Sequence, residues 1–71
     1  MLKMREIEKI LNDYLGDEAT VTRIALRRPR RSGFDIRQRK LSHGYSFVID
    51  KKDKRDPKRI AAEIIVQYRT V

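Results

Sequence analysis

The stretch that decides the fold is "ATVTRIALRRPRRSGFDIRQRKLSHGYSFVIDK", residues 19–51. It holds three runs with a two-residue period, broken at Pro29, at Ser32-Gly33 and at Ser42-His43-Gly44. A strand sends alternate side chains to opposite faces, so each run reads as a strand and each break as a turn. In 19–28, Thr20, Thr22, Ile24 and Leu26 share one face, and Val21, Arg23, Ala25 and Arg27 share the other. The Ile24/Leu26 face is expected to be the core face. Pro29 ends that strand, because it has no N–H to donate to a ladder. In 34–41, Phe34, Ile36 and Gln38 oppose Asp35, Arg37 and Arg39, and in 45–51 Tyr45, Phe47 and Ile49 fall together. The expectation is a three-stranded antiparallel meander with an arginine-rich hairpin loop at 27–33.

The flanks read as helices. In "MLKMREIEKILNDYLG", Met4, Ile7, Leu11 and Leu15 recur every three or four residues, and Ile10 and Tyr14 widen the stripe. Gly16 is a helix stop, since glycine takes the left-handed conformation that closes a last turn. After the polar "KKDKRD", Asp56-Pro57 combines a carboxylate N-cap with proline at the first helical position. Ile60, Ile64 and Tyr68 then follow at four-residue spacing, with Ala61 and Ile65 beside them. The order is α-β-β-β-α. It predicts a single α+β domain over residues 1–71, with two helices packed on one face of the sheet. The sheet face away from the helices would show Arg23, Arg27, Arg37 and Arg39.

With 71 residues the chain has one modest core. It contains no cysteine, which rules out disulfides and thiolate metal sites. The start is charged from Lys3 onward, and the longest run of large apolar residues is Ile64-Ile65-Val66. Neither a signal peptide nor a membrane span is expected, and the cytoplasm is the expected location. No cofactor is expected.

The net charge is +8, a balance that points to a polyanionic partner. Its distribution is uneven. Residues 1–22 carry three basic and five acidic groups, residues 23–40 carry eight basic groups and only Asp35, and residues 41–71 carry seven basic and four acidic groups. The central eighteen residues therefore hold a net +7. Arg27, Arg28, Arg30 and Arg31 crowd around Pro29, and Arg23, Arg37, Arg39 and Lys40 lie on the adjoining strands. Arginine suits phosphate because its planar fork donates two parallel hydrogen bonds and never loses its charge. A second basic cluster, with Lys54, Arg55 and Lys58, precedes and opens the last helix, where a bound phosphate would meet the positive end of the helix dipole. The acidic residues Glu6, Glu8, Asp13, Asp17 and Glu18 read as a solvated outer face. His43 is the single histidine, and a catalytic reading would make it the general acid or base of a ribonuclease.

"KRDPKRIAAEII" (54–65) resembles the start of the last helix in the double-stranded-RNA-binding domain family. Lys54, Arg55, Lys58, Ala61 and Ala62 match its Lys-Lys-x-Ala-Lys-x-x-Ala-Ala pattern, with Pro57 replacing the first alanine. His43 and Phe47 have the spacing of that family's loop histidine and strand phenylalanine. The resemblance implies an α-β-β-β-α fold that binds RNA through the first helix, the His43 turn and Lys54, Arg55 and Lys58. The chain departs from the family at Leu41-Ser42, where a Gly-Pro element belongs. It also has only about six residues between the last strand and the basic helix, where that family has room for a further strand. The same element order is similar to that of small ribonuclease toxins with one working histidine.

Taken on its residues, the chain is expected to be a non-catalytic nucleic-acid-binding module for DNA or RNA, contacting the phosphate backbone through the arginine loop and the basic strand face. An acidic protein surface is the alternative partner, as for a small viral or mobile-element inhibitor. An unpaired edge strand would also allow a homodimer.

Overall fold

A computed structural model describes residues 3–26, 31–40, 44–50 and 52–70. Helix α1 (Met4–Leu15) leads through a 3-10 turn (Gly16–Glu18) into β1 (Ala19–Leu26), β2 (Arg31–Gln38) and β3 (Gly44–Asp50), and α2 (Pro57–Thr70) closes the chain. The sheet has the order β1-β2-β3 with both pairings antiparallel, so β2 is paired on both sides and β1 and β3 are edges. The expected α-β-β-β-α architecture is present, a small compact domain with its helices on a three-stranded sheet. No helix among the described residues is long and apolar enough to cross a membrane.

The helices start and stop for local reasons. At the end of α1, Gly16 has φ +56°, a region that side chains disfavour, and its N–H donates to the Asn12 carbonyl. At the start of α2, the Asp56 carboxylate accepts the Lys58 N–H at 2.8 Å, and the Asp56 carbonyl accepts from Arg59 and Ile60. Asp56 is thus the N-cap that its position before Pro57 predicts. The apolar stripes meet on one side of the sheet. Ile7, Leu11 and Leu15 of α1 and Ile60, Ala61, Ile64 and Tyr68 of α2 enclose Phe34, Ile36 and Ile49. Phe34, Ile36, Ile7 and Leu11 are fully buried.

The strand faces hold one correction. Val21 stands opposite Ile36, which stands opposite Tyr45, and Arg23 stands opposite Phe34 and, across β2, Phe47. Directly paired residues share a face. The core face of β1 is therefore Ala19, Val21, Arg23 and Ala25, not Ile24 and Leu26. Ala19 is buried and Val21 packs on the core, whereas Thr20 and Thr22 are exposed. The reason is register. Phe34 and Ile36 commit β2, and pairing carries that choice to β1 even though the bulkier β1 residue Ile24 is turned the other way. The strand boundaries also shift. Arg31, Ser32 and Gly33, expected in the hairpin loop, are the first residues of β2.

Gly33 is required where it stands. A Cβ there would lie 2.1 Å from the Phe47 carbonyl oxygen and 3.0 Å from the Val48 Cα, both backbone atoms of β3 that cannot swing aside. Gly44, in contrast, has nothing nearer than 3.5 Å to a Cβ. Gly33→Ala is expected to cost about 1–3 kcal/mol, as for overpacking elsewhere, and Gly44→Ala much less. Urea denaturation of the two variants reads the difference as a shift of the midpoint for Gly33→Ala alone.

Candidate functional site

The period-two alternation of β2 that buries Phe34 and Ile36 turns Arg31, Gly33, Asp35 and Arg37 to the opposite, helix-free face. Their paired neighbours complete that face. Ile24 and Val48 flank Gly33, Thr22 and Ser46 flank Asp35, and Asp50 lies opposite Arg31. Val48 is 46% exposed and Ile24 is half-buried, so a narrow apolar stripe crosses the middle of the open face. Asp35 and Arg37 both lean over Gly44, with Oδ1 and Nε 3.5 and 3.6 Å from the position a Cβ would take. Beyond Arg37 the chain turns through Arg39 and Lys40, both exposed, where the Arg39 N–H donates to the Glu18 carbonyl.

The predicted basic residues separate into three groups. Arg31, Arg37, Arg39 and Lys40 lie on β2 and the turn that follows it, and among the described residues they form no ion pair. Arg23 is not on the open face. It stands on the helix side, with its Nε 3.8 Å from Glu8 of α1. Lys54, Arg55 and Lys58 lie around the start of α2, far in sequence from β2, and Arg55 is held by carboxylates. Its Nε and Nη2 donate to Asp53 at 3.0 and 2.7 Å, and its Nη1 donates to Glu63. These hydrogen bonds, Asp53 first, raise the Arg55 pKa and lower that of Asp53. Arg27, Arg28 and Arg30, and with them His43, lie outside the described residues.

Two side chains have roles that sequence reading missed. Glu18, expected on a solvated face, accepts from Arg69 of the last turn of α2, with Nη2 2.7 Å from Oε2. The Arg69 guanidinium also lies over the rings of Tyr14 and Tyr68 at 5.6 and 5.7 Å. The hydrogen bond from Arg69 lowers the Glu18 pKa and raises that of Arg69. Nothing local announces this pair, because its members are 51 residues apart. Tyr45, an aromatic beside a turn, is the other. It points to the core side and meets the Tyr68 ring edge to face at 6.1 Å, so it is no platform for a base on the open face.

The aromatics as a set are on the wrong side for stacking. The chain has three tyrosines, two phenylalanines and no tryptophan. Phe34, Tyr45, Phe47 and Tyr68 belong to the core or pack against it, and Tyr14 is on α1 beside Arg69. Among the described residues there is no cluster of three metal-ligating side chains. The open face thus offers fixed positive charge at its two ends, carboxylates between and beside them, and a small apolar centre.

No family model, no curated protein and no solved structure matches this chain. Within the resemblance drawn above, Phe47 falls in β3, the last strand before α2. Aligning His43 and Phe47 with the double-stranded-RNA-binding pattern therefore leaves the strands one step out of register with that family.

The Glu18–Arg69 pair predicts a pH effect with a definite sign. A carboxyl whose folded pKa is lowered adds stability above its ordinary value, here 4.5, and loses it as the pH falls through the lowered value. Thermal melts of the parent and of Glu18→Gln should differ most near neutral pH and converge as the pH falls below 4.5. Curves that stay parallel across that range contradict the assignment.

Proposed function

We propose that this chain is a non-catalytic nucleic-acid-binding module that grips the phosphate backbone through β2, its following turn and the arginine-rich hairpin before it. The observation that carries the reading is the contrast among arginines. Arg55 and Arg69 are neutralised by carboxylates of their own chain, whereas Arg31, Arg37, Arg39 and Lys40 have no such partner among the described residues. Unpaired, crowded cations repel one another, and a polyanion relieves that repulsion. The net +7 of residues 23–40 supports the same surface, since Arg27, Arg28 and Arg30 immediately precede β2 in the sequence.

The second basic cluster contributes less in this reading. Arg55 is committed to Asp53 and Glu63, and Lys54 and Lys58 stand in a segment that also carries Asp53 and Asp56. The weak point of a ribonuclease reading is that His43 has no second histidine to share the proton transfers.

Binding governed by phosphate contacts falls steeply with salt. Retention on nucleic acid is expected at about 0.1 M salt and loss of it at about 0.5 M. Arg31→Ala with Arg37→Ala should lower the slope of log affinity against log salt by about 1.8, two phosphate contacts' worth on duplex DNA. Lys54→Ala with Lys58→Ala should lower it less. Equal changes from both pairs would move the site to the start of α2. No binding to DNA or RNA at low salt would leave an acidic protein surface as the partner.

A further inference from the structure

The open face has a definite charge order. Along β2 it runs Arg31, Gly33, Asp35, Arg37, with Asp50 next to Arg31 on β3. The two arginines stand six positions apart, about 20 Å at 3.3 Å per residue. Between them lie Asp35 and the apolar pair Ile24 and Val48 about Gly33. From this arrangement we infer that the preferred ligand of the proposed site is duplex DNA, laid with its major groove against the sheet. This inference rests on the nucleic-acid-binding reading above.

A single strand is a poor fit for two independent reasons. Proteins that hold single strands combine a continuous basic track with aromatic rings on which bases stack. Here the track is interrupted, because a strand following β2 carries its phosphates past Asp35 between the two arginines. The rings are absent as well, since all five aromatics of the chain lie on the core side or on α1.

A duplex resolves both conflicts. Its two backbones flank a major groove about 12 Å wide, within the reach of arginine side chains rooted about 20 Å apart. Arg31 and Arg37 then meet phosphates on opposite sides, and Asp35 faces the groove, where amino groups of cytosine and adenine are the available donors. Ile24 and Val48 face the same opening, where thymine presents a methyl group. Duplex RNA lacks that match. Its major groove is deep and narrow, and uracil carries no methyl group.

Fluorescence anisotropy with the full chain at about 0.1 M salt tests this, using labelled duplex DNA, duplex RNA of the same sequence and the corresponding single strand. Duplex DNA is expected to bind about tenfold or more tightly than the single strand, and more tightly than duplex RNA. Asp35→Asn should narrow the gap by strengthening single-strand binding more than duplex binding. A circular dichroism melt confirms that the variant folds, and Asp13→Asn, which removes an exposed carboxylate of α1 away from the sheet, serves as the control for the change in net charge. Single-strand or duplex-RNA affinity equal to or above that of duplex DNA overturns the inference and leaves the nucleic-acid-binding reading intact. A gap unaltered by Asp35→Asn overturns the role of the charge order. Absence of binding to all three ligands overturns the underlying reading itself.

Discussion

The burial of Phe34 and Ile36 beneath the two helices is the contact on which the rest of this structure depends. Both lie on β2, the strand paired on each side, and both are fully buried. Once they face inward, the pleat leaves no freedom for Arg31, Gly33, Asp35 and Arg37, which must face outward. Pairing then passes the decision to β1 and β3, bringing Val21 and Tyr45 inward beside Ile36 and setting Ile24 and Val48 outward beside Gly33. The apolar centre of the open face is thus a by-product of the core, as is the position of its charges.

What the sequence made legible follows from how local each signal is. The stripe of α1, the Asp56-Pro57 start of α2 and the alternation of Phe34 with Ile36 are each contained within a few residues, and each appears where expected. The β1 face was misread because both of its faces carry apolar residues, Ile24 and Leu26 against Val21 and Ala25. Only the register with β2 decides between them, and register is not written in β1 alone. The displacement of Arg23 from the open face is the same error seen from the other side. The Glu18–Arg69 pair was hidden by distance along the chain, whereas the Arg55 pairing had a visible cue in Asp53, two residues away. The start of β2 was misplaced because Ser32-Gly33 has the composition of a turn. Gly33 is there instead because β3 passes too close for any side chain.

Among the described residues, carboxylates divide the basic side chains into those that tie elements of the fold together and those that form no ion pair. Arg69 ties the last turn of α2 to the turn before β1, and Arg55 ties the loop after β3 to α2. Arg69 joins elements remote in sequence and Arg55 joins neighbouring ones, and the hydrogen bonds of each raise its pKa. Among the described residues, the side chains of the cations on and after β2 form no ion pair. Arg37, Arg39 and Lys40 instead stand within four residues of one another at one end of the central strand.

That crowding has a thermodynamic consequence for the protein when nothing is bound. Like charges held together by a fixed strand raise the free energy of the folded chain relative to an expanded one, in which they move apart. Dilute salt therefore leaves the domain below its full stability, and any multivalent anion that binds the folded state alone shifts the balance back by mass action. The strand that positions the cations is the central strand of the sheet, so a ligand there acts directly on the part of the molecule that all the rest is built around. For any anion bound there, binding and the stability of the fold would be one linked equilibrium.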